Sequence, residues 1–256
     1  MKVREVLEEI DRIAPFALAE EWDNIGLMAG DPAQEVRRLG VALDPLPEAV
    51  ERAAEAGCQA LLTHHPLFFS PVKKLDFSTT AGRTACLAAR LSVAVLAAHT
   101  NWDCAEGGVS FELARLLGLR GVSVLDPDSG LGAVGDFAGR LPSGEVLDRI
   151  KRTWGLTWVD GYISRDCSIL RMALCGGSGS SLWPQAQMAG AELYVTADVK
   201  YHALLDAERA GMPIAVVDHA EMERASLAEL ARCLSIPGEL ETVLIGIGGL
   251  SSPQRL

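Results

Sequence analysis

Two pairs of segments far apart in the chain repeat one another in kind. "AGCQALLTHH" (56–65) stands beside "AGAELYVTAD" (189–198), and "LSVAVLAAHTN" (91–101) beside "GMPIAVVDHAE" (211–221). Each half runs strand, helix, strand, and then a strand that closes on a histidine. Apolar strands alternating with helices bury both faces of a largely parallel sheet, so the pattern predicts an α/β fold of two similar, pseudo-duplicated lobes.

The local signals fit that plan. Val3, Val6, Leu7, Ile10 and Ile13 fall at helical spacing and predict a first helix ending near Pro15. A strand over 39–43, a helix over 47–56 with Gly57 as its cap, and a strand over 58–63 follow. "GGVSFELARLLGL" predicts a helix, and 191–196 a strand. A stretch rich in Gly, Pro and Asp, "LDPDSGLGAVGD" (125–136), is read as the junction, giving lobes 1–126 and 127–256 that together form one compact unit. Residues 137–170 predict a strand, a short amphipathic helix and a strand, without evident chemistry.

Composition excludes several functions. The formal charge of -11 argues against a nucleic-acid surface, which needs a basic footprint, and mildly against anionic membranes. Six cysteines, with no CxxC pair, sit mostly among apolar residues and point to a reducing, cytoplasmic setting. No signal peptide is read at "MKVREVLEEI", and no apolar run nears the roughly 20 residues that span a bilayer.

All five histidines, His64, His65, His99, His202 and His219, are read at or just after the end of a strand. Ligand sites in α/β sheets gather beyond the carboxyl ends of strands. One histidine there is more often structural; five of five point to chemistry. Asp103 follows His99 by four positions and Glu223 follows His219 by four, which places each pair on one face of a helical turn. Imidazole with carboxylate is the ligand set of zinc, iron, manganese or cobalt. Adjacent His64 and His65 point to opposite faces of an extended chain, so each serves a different ion more easily than both serve one. A two-metal centre, its ions roughly 3.5–4 Å apart, uses such a pair naturally.

Other motifs have plainer readings. "CGGSGSS" (175–181) follows a strand and precedes a helix, so it is either a phosphate cradle or a tight turn for close packing. No Gly-Lys-Ser/Thr follows it, and its serines lack a paired base. "WDNIGL" (22–27) caps a helix or frames the site on one reading, and a structural turn at Asp23 and Asn24 is favoured. Lys73 and Lys74 are read as a solvated loop, with attraction of an anionic substrate as the functional alternative.

"EEWDNIGLMAGD" (20–31), "LLTHHPLFF" (61–69), "AAHTNWDCAEGGV" (97–109), "CGGSGSSL" (175–182), "YVTADVKYH" (194–202) and "DHAEMER" (218–224) together resemble the NIF-three-like dinuclear-metal family. Many of its members carry the name "GTP cyclohydrolase 1 type 2 homolog". The resemblance covers most of the chain, in the compact form without an inserted central domain. It implies two divalent ions held between the lobes at the strand ends, with His64, His65, Asp103, His219 and Glu223 as ligands. It also implies His99, Asp198 and His202 as lining residues, with Thr63 read beside them, and a toroidal homohexamer. Where the family motif has glycine before its late histidine, this chain has Asp218, either a partner orienting His219 or an altered turn. The added Glu221 competes with Glu223 as the acid ligand, and spacing favours Glu223. The activity implied is metal-dependent hydrolysis of a nucleotide or phosphoester, with His99 or His202 shuttling protons. The alternatives are a metal-delivery or regulatory protein without turnover, and an adaptor for protein partners.

Overall fold

The computed structural model describes residues 1–164 and 166–246. The chain divides into two compact units, Met1–Ala105 with the described part of Leu227–Gly248, and Glu106–Ser226. Residues 247–256, expected in the second lobe, lie outside the described residues.

The first unit begins with α1 (Val3–Ile13), β1 (Gly26–Ala29), β2 (Arg38–Ala42) and α2 (Pro47–Glu55). It continues with β3 (Ala60–Thr63), α3 (Thr80–Leu91), β4 (Ala94–Ala97) and α4 (Thr100–Cys104). The second unit holds α5 (Val109–Leu116), β5 (Arg120–Val124), β6 (Ala133–Pro142), α6 (Ser143–Trp154), β7 (Val159–Tyr162) and β8 (Ser168–Leu174). After these come α7 (Trp183–Met188), β9 (Leu193–Thr196), α8 (Tyr201–Ala210), β10 (Ile214–Val217) and α9 (His219–Arg224). The chain then returns to the first unit as α10 (Leu227–Leu234) and β11 (Glu241–Leu244).

The expected duplication is present in the topology. The first sheet has the order β1-β4-β3-β2-β11 and the second β5-β6-β8-β9-β10-β7. In each, three consecutive strands run parallel (β2, β3, β4 and β8, β9, β10), and the strand that precedes them pairs antiparallel with the third. Every residue of "ALLT", "AVLA" and "LYVT" in β3, β4 and β9 is buried, as parallel strands covered on both faces must be. Val50, Leu61 and Val95 pack in one core and Val134, Tyr194 and Ile214 in the other. Helix α1 matches its predicted span and buries Val3, Val6 and Ile10, and Gly57 follows α2 at φ 74°.

Three expectations are corrected. The units part between Ala105 and Glu106, not at 126/127. The Gly/Pro/Asp-rich stretch is a hairpin turn, because Asp126 N donates to Leu131 O at 3.1 Å and Leu125 N to Gly132 O at 3.2 Å, joining β5 to β6. The terminal segment leaves the second lobe, since β11 pairs in parallel with β2 from Glu241 opposite Arg38 to Leu244 opposite Val41. His202 is not at a strand end: it lies on exposed helix α8, six residues past Thr196. Among the described residues, no helix is long and apolar enough to cross a membrane.

Candidate metal centre

In the first unit, the end of β3 runs on beside the end of β2. His64 N donates to Ala42 O at 3.1 Å and His65 N to Leu43 O at 3.0 Å, so both histidines continue the parallel ladder before Pro66. Thr63, expected to line the site, is fully buried, and its hydroxyl lies 2.7 Å from His65 O and 3.2 Å from Leu96 O, fixing this bend. His99 is the cap residue of α4, and Asp103 N donates to its carbonyl at 3.0 Å. The helical turn therefore forms where the i, i+4 spacing placed it.

These elements bring three rings together. Ring centroids are 5.1 Å apart for His64 and His65, 5.1 Å for His64 and His99, and 5.6 Å for His65 and His99. Each offers one nitrogen within 4.8 Å of the other two. Asp103 Oδ1 lies 3.7 Å from His64 Nε2.

The second nitrogen of each ring is fixed. His65 Nδ1 is 2.7 Å from Asp44 Oδ1, His99 Nδ1 is 2.9 Å from Asp23 Oδ1, and His64 Nδ1 is 3.2 Å from Ala98 O. A ring that donates Nδ1–H to an oxygen carries its lone pair on Nε2, the form that ligates a cation. Asp23 also accepts from Thr100 N at 3.0 Å and Thr100 Oγ1 at 2.5 Å. Burial alone raises its pKa, but the hydrogen bonds from His99 and Thr100 win, and the carboxyl stays well below the usual range. Asp23 is thus a charged anchor and more than a turn residue. The neighbouring Cys104 thiol is pushed up to about 12 by burial and by Asp103, and it stands in none of the ligand groups found among the described residues.

The second unit repeats the device. Asp218 caps α9, its side chain accepting from Glu221 N at 2.9 Å, which answers the departure at this position. His219 begins the helix with Nδ1 2.7 Å from Asp198 Oδ2 and Nε2 3.0 Å from Glu223 Oε1. Glu223 is buried, whereas Glu221 turns away to accept from Thr157 N at 2.7 Å and Thr157 Oγ1 at 3.0 Å. The Glu223 hydrogen bond, followed by its charge and by Asp198, raises His219 from 6.5 to about 9 against the opposing effect of burial.

Asp198 stands at φ 51°, a left-handed conformation unusual for a non-glycine residue, and Ser178 Oγ donates to it at 2.6 Å. Burial raises Asp198, but the bonds from Ser178 and His219 leave it below its ordinary value. Gly177, at φ 63°, explains the glycine-rich turn: a Cβ there would be strained by the left-handed backbone, would displace Glu223 Oε1 and would touch the His219 ring. The turn serves close approach to these two side chains. Among the described residues, His202 stands in no such group; its ring is 5.3 Å from that of Tyr201.

The sequence reading missed Asp44 and undervalued Asp23. A signal existed for the first. Asp44 lies two residues past the end of β2, so the strand-end rule applied to the histidines would have found it had it been extended to carboxylates.

The imidazole and carboxylate donors, with Nδ1 anchored throughout, fit borderline divalent ions on their chemistry. A family model described as Duf34/NIF3 (NGG1p interacting factor 3) matches residues 1–247. A Lactococcus lactis protein named GTP cyclohydrolase 1 type 2 homolog is 34% identical over 229 residues, covering 86% of this chain and 88% of its own. The Streptomyces coelicolor protein of the same name is 35% identical over 228 residues, 86% of this chain and 80% of its own. Staphylococcus aureus SA1388 superposes with a TM-score of 0.88 at 26% identity, over 100% of this chain and 99% of its own. HcgD of Methanocaldococcus jannaschii superposes with a TM-score of 0.80 at 29% identity, over 96% and 98%.

Proposed function

Because the chain belongs to the Duf34/NIF3 family, we propose that it binds two divalent metal ions and uses them to hydrolyse a nucleotide or phosphoester-like substrate. The observation that carries the reading is the anchoring of Nδ1 on His64, His65, His99 and His219. Three are held by Asp44, Asp23 and Asp198, and the fourth by the Ala98 carbonyl. Such partners fix ring orientation and raise the basicity of the ligating nitrogen. His64, His65 and Asp103 are the proposed ligands from the first unit, and His219 and Glu223 those from the second. The set suits zinc, iron, manganese or cobalt.

Ions so held supply Lewis acidity and bring water near them towards ionisation at neutral pH. His99 takes the proton-transfer role. Its Nδ1 is tied to the charged Asp23, which stabilises the imidazolium formed when Nε2 accepts a proton. His202, exposed on α8, has no part in this proposal. The name shared by the Lactococcus and Streptomyces proteins suggests a purine nucleotide as substrate. A toroidal homohexamer is the proposed assembly.

The test is hydrolysis of a nucleotide and phosphoester panel by protein loaded with manganese, zinc or iron and then treated with chelator. The expected outcome is turnover that is lost with the metal and restored with it. Metal bound but no turnover across the panel would leave a storage or delivery protein instead.

A further inference from the structure

Two aromatic side chains flank His99 with half their surface in water. Trp22 is 59% exposed and its ring centroid lies 6.0 Å from that of His99, at an interplanar angle of 75°. Phe69 is 52% exposed and 5.7 Å away at 83°. Both are set by their neighbours. Trp22 precedes Asp23, which is bonded to His99 and Thr100, and Phe69 follows Phe68, whose carbonyl accepts from Asn24 Nδ2 at 2.6 Å. The 22–24 turn and the loop after the histidine pair are thus tied to each other and to the proton-transfer residue.

We propose that Trp22 and Phe69 seat a flat heteroaromatic ring of the substrate beside His99. This deepens the hydrolase reading and rests on it for the fate of that ring. Aromatic faces bind bases by stacking and tolerate many ring types, and they do so with little loss of side-chain freedom. Lys73 and Lys74 follow Phe69 on the same exposed loop and give local positive charge on a chain of net charge -11, which suits a phosphate attached to the ring.

The test compares guanosine 5′-monophosphate with ribose 5-phosphate, which keeps the sugar phosphate and lacks the ring. Equilibrium dialysis is run on manganese-loaded and on chelator-treated protein, with bound manganese measured in parallel. Guanosine 5′-monophosphate is expected to bind about tenfold or more tightly than ribose 5-phosphate in both states. Trp22→Ala and Phe69→Ala are each expected to weaken its binding by about tenfold, while Trp22→Phe retains most of it. Equal binding of the two probes overturns the proposal, as does an unchanged affinity in both alanine variants. A change of sedimentation in those variants would assign the aromatics to a contact between copies, and also overturns it. Absence of bound manganese counts only against the metal reading, because stacking is measured in the metal-free state as well.

Discussion

The Asp44 carboxylate lies 2.7 Å from Nδ1 of His65, joining the end of one parallel strand to the end of the next. That bond sets which nitrogen of His65 a cation meets. Asp44→Asn is therefore expected to lower divalent-metal affinity by about 10–100-fold, with little change in fold. Competition with a fluorescent chelator measures it, and affinity equal to that of the wild type would remove Asp44 from the account.

The proton on His219 gives a pH dependence with a definite sign. Its folded pKa is about 9 against 6.5 for the free side chain. The folded, metal-free protein binds the extra proton between those values, so this contribution is fully present below about pH 6.5 and is lost as pH rises through 9. Urea midpoints of metal-free protein should fall across that window, and His219→Gln should flatten the fall. Asp198, held below its ordinary value, titrates outside the window.

A methyl group at Gly177 would displace the Glu223 carboxylate end. Gly177→Ala faces a left-handed backbone and a collision with Glu223, so a cost of about 1–3 kcal/mol is expected, together with reduced metal content. Gly139, exposed and with nothing near its missing Cβ, is the control; alanine there should stay within about 0.5 kcal/mol. Thermal unfolding and elemental analysis of both variants decide it.

Glu221 and Glu223 separate in the same way. Glu223→Gln should reduce the number of ions bound. Glu221→Gln should keep that number and lose only stability, about 1 kcal/mol, because its carboxylate holds Thr157. Equal loss of metal in both variants would contradict the assignment.

Much of this was legible from the residues alone, for local reasons. Short, mostly apolar strands such as "ALLT" and "LYVT" announce a buried parallel sheet, and the i, i+4 acids of His99 and His219 need only one helical turn to act. What stayed hidden depends on distance along the chain. The anchor of His99 is 76 residues away at Asp23, and no spacing rule links them, whereas Asp44, 21 residues from His65, carried only the strand-end signal. Strand β11 carries only four half-buried or exposed residues and finds β2 across the whole chain. The Gly- and Asp-rich stretch near 126–132 looks alike whether it joins lobes or turns a hairpin, and only the pairing of β5 with β6 distinguishes them.

The most direct measurement is elemental analysis of protein purified without added metal, set beside His65→Ala and His219→Ala. Two divalent ions per chain are expected for the natural sequence, and fewer than two for each variant. A natural chain that carries none, or variants that keep both ions, would contradict the assignment of these histidines as ligands.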